Sequence, residues 1–154
     1  KGFSCLDENM NPVDSWIALA QNNKYQYYWY DEIKGFIKSN YRTNQTTYGG
    51  IMSTVNQLYS EQLDLNNVAY ALYNDDPPPP LDVASSTYAH SKGMILTNDN
   101  TGFWLIHSKP NWPNQRADGP IPFPDSTYSQ SLMCITFNTT TFDTIASGAL
   151  INYP

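Results

Sequence analysis

Hydrophobic positions along the chain fall into short runs separated by clusters of Asn, Asp, Gly and Pro. Residues 1–12 read as an irregular arm. Residues 13–20 predict a strand anchored by Trp16 and Ile17, and the aromatic run YQYYWY at 25–30 predicts another beyond the Asn22-Asn23 turn signal. Residues 33–41 and the Asn/Thr-rich stretch to Gly50 read as loop or short strand. Ile51, Val55, Leu58 and Leu63 recur at near-helical spacing, which predicts a helix over 51–63 packed against a sheet. Residues 68–73 read as a buried strand, and Asp75-Asp76 with four prolines then breaks regular structure. Two apolar runs, 93–97 and 103–106, flank Asn98-Asp99-Asn100-Thr101-Gly102 and predict a β-hairpin. The proline-rich stretch 110–124, with Trp112 and Phe123, reads as an ordered surface loop. Residues 128–137 predict a strand, or a short helix leading into one, and 141–151 are weakly helical.

A length of 154 residues suits one domain, residues 1–154, with a real core. Hydrophobic residues at 40% with 12 Tyr and 4 Trp exclude a disordered chain. No apolar run approaches the roughly 18–20 residues of a membrane span, so no membrane partner is expected. No signal peptide remains at Lys1, as expected of a processed secreted chain or a trimmed one. The net charge of −6 argues against simple electrostatic binding of a polyanion. It leaves room for work in acid, where carboxylates are partly protonated and histidines are charged.

The only two histidines, His90 and His107, each open a His-Ser-Lys tripeptide. In a strand His90 and Lys92 would share a face, roughly 6.5–7 Å apart. A nucleophile or general acid beside a fixed cation suits phosphate chemistry. In a hairpin centred near 98–100 the two histidines would stand almost opposite one another. Asp75 and Asp76 admit two readings, metal or carboxylate chemistry and turn capping, of which capping is the simpler. Cys5 and Cys134 are either free buried thiols or a bridge. The sequons at Asn44 and Asn138 fit a secreted glycoprotein in an oxidising compartment.

The His90-x-Lys92 motif, the run Gly102-Phe103-Trp104-Leu105-Ile106-His107-Ser108 and the proline-broken loop after it resemble the deoxyribonuclease II family of phospholipase D-like phosphodiesterases. Pro12-Val13-Asp14, Trp16, Tyr73-Asn74-Asp75-x-Pro77-Pro78 and Ser131-Leu132-Met133-Cys134 match in the same order. The resemblance implies an α/β, phospholipase D-like single domain, a central mixed β-sheet flanked by helices, in which residues 13–20 and 25–30 pair. It implies a Cys5–Cys134 disulfide, and a secreted or lysosomal location.

By the same resemblance the activity would be an acid, metal-independent endonuclease acting on DNA, with no cofactor. His90 would attack phosphorus to form a phosphohistidine, and Lys92 would neutralise the non-bridging oxygens. DNA would be left with 3′-phosphates. His107 and Ser108 would support the site, and Asn111 would add a hydrogen bond to phosphate. Lys109, which departs from the family pattern, would be an exposed loop charge. The family enzyme is a pseudo-dimer about twice this length, each half supplying one HxK, and the match covers only the first half. Three arrangements follow: a homodimer joining two His90 side chains, a separate second-half chain, or a catalytically inactive secreted protein that binds DNA or a host protein. A plain aromatic-rich surface glycoprotein would explain none of the ordered matches.

Overall fold

Trp16, Ala18 and Ala20 point into the core while Ile17 and Leu19 point out, so the strand carrying them has one dry face and one exposed face. In the computed structural model, which describes the backbone of residues 2–81 and 89–151, this is strand β3 (Ser15–Ala20). It pairs with β4 (Gln26–Asp31) on one side and β9 (Gln130–Asn138) on the other. Beyond β4 lies β5 (Gly35–Arg42). Beyond β9 lie β8 (Thr101–His107), β7 (Lys92–Thr97) and the edge strand β6 (Ala69–Asn74), giving the order β5-β4-β3-β9-β8-β7-β6. A second, two-stranded sheet pairs β1 (Cys5–Leu6) with β2 (Pro12–Val13).

The fold is α/β, as expected, but the large sheet is not mixed. Every one of its ladders is antiparallel. The reason lies in the connections: β3–β4, β4–β5 and β7–β8 are joined by tight turns, which return the chain antiparallel.

Helix α1 (Gly50–Tyr59) covers the inner face and buries Ile51, Met52, Val55 and Leu58. Its first residue must be small, because a Cβ on Gly50 would meet the Trp29 ring at 2.1 Å. Trp16 Nε1 donates to Thr54 Oγ1 of the same helix at 3.3 Å. A Cys5–Cys134 disulfide, spanning 129 positions, fastens β1 to β9. Helix α2 (Phe142–Ile151) leaves the end of β9, with Phe142 stacked on Phe137. No helix among the described residues is long and apolar enough to cross a membrane.

Four expectations about elements need correction. The predicted loop or short strand at 33–41 is the eight-residue β5. Helix α1 stops at Tyr59, because Ser60 is extended, although Leu63 still packs on the core. The strand expected to be buried at 68–73 is β6, exposed over its first three residues because it pairs only with β7. The irregular arm contains the β1–β2 pair. The long aromatic and histidine-bearing stretch beginning at Tyr88 lies in part outside the described residues, as does the tail after 151.

Two rows of side chains cross all seven strands. On the inner face the registers align Ile37, Trp29, Ala18, Leu132, His107, Lys92 and Asn74. One residue away on the outer face lie Phe36, Tyr30, Ile17, Met133, Ile106, Gly93 and Tyr73. Lys92 and His107 thus sit in a row of otherwise mostly apolar residues. That placement sets their electrostatics.

Candidate functional site

Lys92 opens β7 and is fully buried, 1% of its side chain being exposed. A cation there needs a partner, since an unpaired buried charge is expensive. The partner is Asp75, one residue past the end of β6, whose Oδ1 accepts from Lys92 Nζ. The other carboxylate oxygen, Oδ2, lies 2.7 Å from His90 Nδ1. One carboxylate therefore gathers both charge-bearing members of the HxK motif. Burial pushes the Asp75 carboxyl up, but hydrogen bonds from Lys92 and then His90, and the charges of both, outweigh it and hold the group below its ordinary range.

His90 lies just before β7, outside the strand, with 87% of its side chain exposed. A carboxylate only accepts, so Nδ1 carries a proton towards Asp75, and Nε2 is the ring nitrogen turned away from it. The ring is thus oriented by Asp75 with Nε2 available to solvent or ligand.

His107 has a different environment. It stands opposite Lys92 in the register, whereas the hairpin reading placed His90 there. Its Nδ1 accepts from the Lys109 backbone N–H at 3.1 Å, so Nε2 carries the proton, and among the described residues that buried Nε2 has no partner. Burial first, and the Lys92 charge second, lower its pKa from 6.5 to about 3. His107 is a neutral core histidine, packed edge-on to Trp112 at 5.1 Å.

Ser108 is turned towards β9, donating to Gln130 Oε1 at 2.6 Å and accepting from the Ser131 N–H at 3.0 Å. Asn111 takes the left-handed region (φ 56°), which Asn tolerates, and its N–H donates to Asp76 O at 2.8 Å. Lys109 is not an exposed loop charge: it is 5% exposed, lies over the Phe123 ring and donates to Asp125 O at 3.2 Å. The apolar wall of Trp112 and Phe123 explains why the loop folds over it. Burial lowers its pKa.

Two residues of the arrangement stood out less in the sequence. Asp75 read as a turn cap, yet it is the hub. Asn74 ties the same corner to the proline-rich loop, donating from Nδ2 to Lys109 O at 3.3 Å and Trp112 O at 3.0 Å. The signal for both was present in Tyr73-Asn74-Asp75, one of the ordered matches. Next to Lys92, Gly93 gives the approach its space: a Cβ there would meet Tyr73 Oη at 2.2 Å. Among the described residues no three His, Cys, Asp or Glu side chains converge as a metal-ligand set.

The family model for deoxyribonuclease II matches residues 4–154. The chain belongs to the deoxyribonuclease II family. Within it, deoxyribonuclease-2-alpha of Bos taurus is 30% identical over 99% of this chain and 45% of its own length. Deoxyribonuclease-2-beta of Mus musculus is 34% identical over 99% and 45%. Plancitoxin-1 of Acanthaster planci is 30% identical over 100% and 46%. The chain spans about half the length of the curated relatives it matches. The disulfide expected from the family resemblance is present, Cys5 and Cys134 having Cα atoms 5.9 Å apart.

Proposed function

We propose that this domain is one half-site of an acid, metal-independent deoxyribonuclease with a phospholipase D-like fold. The observation that carries the reading is the Asp75 bridge, which presents His90 as an oriented, solvent-facing imidazole beside the fixed Lys92 charge. His90 Nε2 attacks the phosphorus of a DNA phosphodiester. The P–O bond to the 5′-oxygen breaks, and a phosphohistidine retaining the 3′-linked strand forms. Lys92, buried with its Nζ held by Asp75, supplies positive potential towards the non-bridging oxygens from behind that carboxylate as charge builds. Water then cleaves the P–N bond, releasing a 3′-phosphate. Because Asp75 is held below the ordinary carboxylate range, the bridge persists in acid.

The leaving 5′-oxygen needs a proton, and His107 is badly suited to supply it. It is buried, and neutral down to about pH 3. The acid comes from a second HxK, carried by another copy of this chain or by a second-half chain. The outer row offers apolar surface for such a partner, with Phe36 62%, Tyr30 44%, Ile17 41% and Met133 40% exposed. Asn111 and Ser108 shape the loop behind Lys92. Secretion or lysosomal residence belongs to the same reading, supported by the disulfide and by the exposed sequon residues Asn44 and Asn138.

The test is plasmid nicking near pH 5 in EDTA, comparing the chain with His90→Ala across protein concentration. Nicking that survives EDTA, vanishes in the variant and rises faster than linearly with concentration supports two half-sites meeting. Nicking that persists in His90→Ala overturns the assignment. A second reading, a silent binding protein, is favoured by the burial of His107, which leaves only one exposed histidine. It requires that DNA or a host protein bind with no nicking at any concentration.

A further inference from the structure

The turn between β4 and β5 holds an aliphatic side chain out of the protein. Asp31, wholly buried at the end of β4, accepts from Trp29 Nε1 at 2.6 Å, from the Ile33 N–H at 2.9 Å and from the Lys34 N–H at 2.6 Å. Gly35 closes the turn in the left-handed region (φ 68°), which glycine adopts without a steric penalty. The result is a braced tip on which Ile33 is 68% exposed, with Phe36 62% exposed at the start of β5. Cations gather on the same hairpin. The outer-face positions of β5 read Phe36, Lys38, Asn40 and Arg42, all exposed, and those of β4 read Gln26, Tyr28 and Tyr30, so no carboxylate stands among them. Lys34 lies in the turn itself and Lys24 in the turn before β4. The remaining described cations are engaged: Lys92 by Asp75, Lys109 by the Asp125 carbonyl, and Arg116 by the carbonyls of Leu58 and Ser60. Among the described residues, cationic side chains without an ion pair or hydrogen bond are thus confined to this margin, in a chain of net charge −6. Glu32, the carboxylate at the tip, is turned back to the Asp14 N–H at 3.0 Å.

We infer that the β4–β5 tip adsorbs to an anionic lipid surface, with Ile33 and Phe36 entering the headgroup boundary and Lys34 and Lys38 meeting the lipid phosphates. Charge decides the orientation: an acidic chain can approach an anionic surface only with its cationic margin leading. Apolar chemistry decides the occupant. Ile33 is aliphatic and does not stack on a base, and Phe36 is already stacked on Tyr28, with ring centroids 5.6 Å apart and planes 4° from parallel. Both suit the acyl boundary, while lysine stems are long enough to keep their ammonium groups at the phosphates beside them. Adsorption needs no spanning helix, so the expectation of no membrane partner, which followed from the lack of a span, covers crossing alone. The inference stands apart from the half-site reading. Five strand spacings separate β5 from β7, about 24 Å, so lipid at the tip does not reach His90. Ile33 and the lysines also lie beyond the apolar row that faces a partner chain, with Phe36 alone shared between the two surfaces.

The experiment is co-sedimentation of the full chain, at low salt, with vesicles of phosphatidylcholine alone and of equal parts phosphatidylcholine and phosphatidylserine. The chain should pellet with the phosphatidylserine vesicles and stay in solution with the neutral ones. Lys34→Gln and Lys38→Gln should each weaken binding about fivefold. Ile33→Ser should weaken it about tenfold, and Ile33→Leu should preserve it. Equal binding to the two vesicle types, or binding to neither, overturns the inference. So does anionic binding that is unchanged in folded Ile33→Ser, and displacement of those vesicles by single-stranded DNA would then make the margin a nucleic-acid track. Nicking is a separate readout, and Ile33→Ser should keep it. Lipid binding with no nicking sinks the nuclease reading alone, and His90-dependent nicking with no lipid binding sinks the tip alone.

Discussion

Lys92 stands directly across from His107 in the ladder between β7 and β8, and burial together with this pairing keeps His107 uncharged. Burial is the larger opposition to a positive charge there, and a buried cation one strand away adds to it. Unfolded, His107 takes up a proton below about pH 6.5; folded, it does so only near 3. Protons therefore favour the unfolded chain across that window, and stability falls as pH falls through it. At pH 5 the cost is about 2 kcal/mol relative to pH 7. Urea unfolding at the two pH values measures it. His107→Gln, which keeps an acceptor for the Lys109 N–H, should flatten the difference, and an unchanged difference would assign the pH effect elsewhere.

Asp75→Asn should weaken the fold as well as the site. Lys92 would stay buried with a neutral neighbour, at a cost of roughly 3 kcal/mol. Adding Lys92→Met should recover much of that loss, because the surroundings of Lys92 are largely apolar. Thermal denaturation of both variants is the measurement, and equal melting points for Asp75→Asn and the parent chain would mean the bridge is solvated. The sign with pH is that of an acid-labile contact. Because the folded-state pKa lies below the unfolded value, the bridge's contribution is present above about pH 4 and is lost only as pH falls through the depressed value.

Reduction should expose how much the Cys5–Cys134 bond contributes. Closing 129 positions of chain is worth about 5 kcal/mol in the chain-entropy model, an amount comparable to the whole stability of a small domain. Reductant, or a Cys5→Ala/Cys134→Ala double variant, should lower the urea midpoint steeply. A midpoint shift of only a few tenths of a molar would show that the β1 arm is held by Thr54 and Thr136 hydrogen bonds alone.

Gly93→Ala should be costly at a position no sequence period marks as special. The new methyl would meet Tyr73 Oη at 2.2 Å and the Leu105 carbonyl oxygen at 2.6 Å. Either the Tyr73 ring leaves Trp104 Nε1, to which its hydroxyl is bonded at 2.8 Å, or β7 shifts and carries Lys92 with it. The expected loss is about 1–3 kcal/mol. The paired variant Gly93→Ala/Tyr73→Phe should recover part of it by removing the closest clashing atom, and no recovery would place the clash in the backbone.

Strands were legible wherever alternation or turn chemistry was local. The Asn98–Gly102 turn between two apolar runs marked the β7–β8 hairpin, and the spacing of Ile51, Val55 and Leu58 marked α1, because both signals lie within a few residues of chain. The ordered motifs also identified the family, and with it the disulfide. The exposure of β6, by contrast, depends on which strand ends at the sheet edge. The antiparallel direction of the whole sheet depends on how its connections close.

The sequence by itself determined which residues carry charge and reactivity: His90, Lys92, His107, Asp75 and the cysteines. Tertiary structure alone decided what each becomes. Two similar His-Ser-Lys tripeptides end in opposite states. His90 precedes its strand and meets a carboxylate at the surface, whereas His107 closes its strand inside the core opposite a cation. Lys92 and Lys109 are both buried, one neutralised by Asp75 and the other laid over Phe123. Protonation and solvation follow from distances between segments far apart in sequence, and only the packed sheet sets those distances.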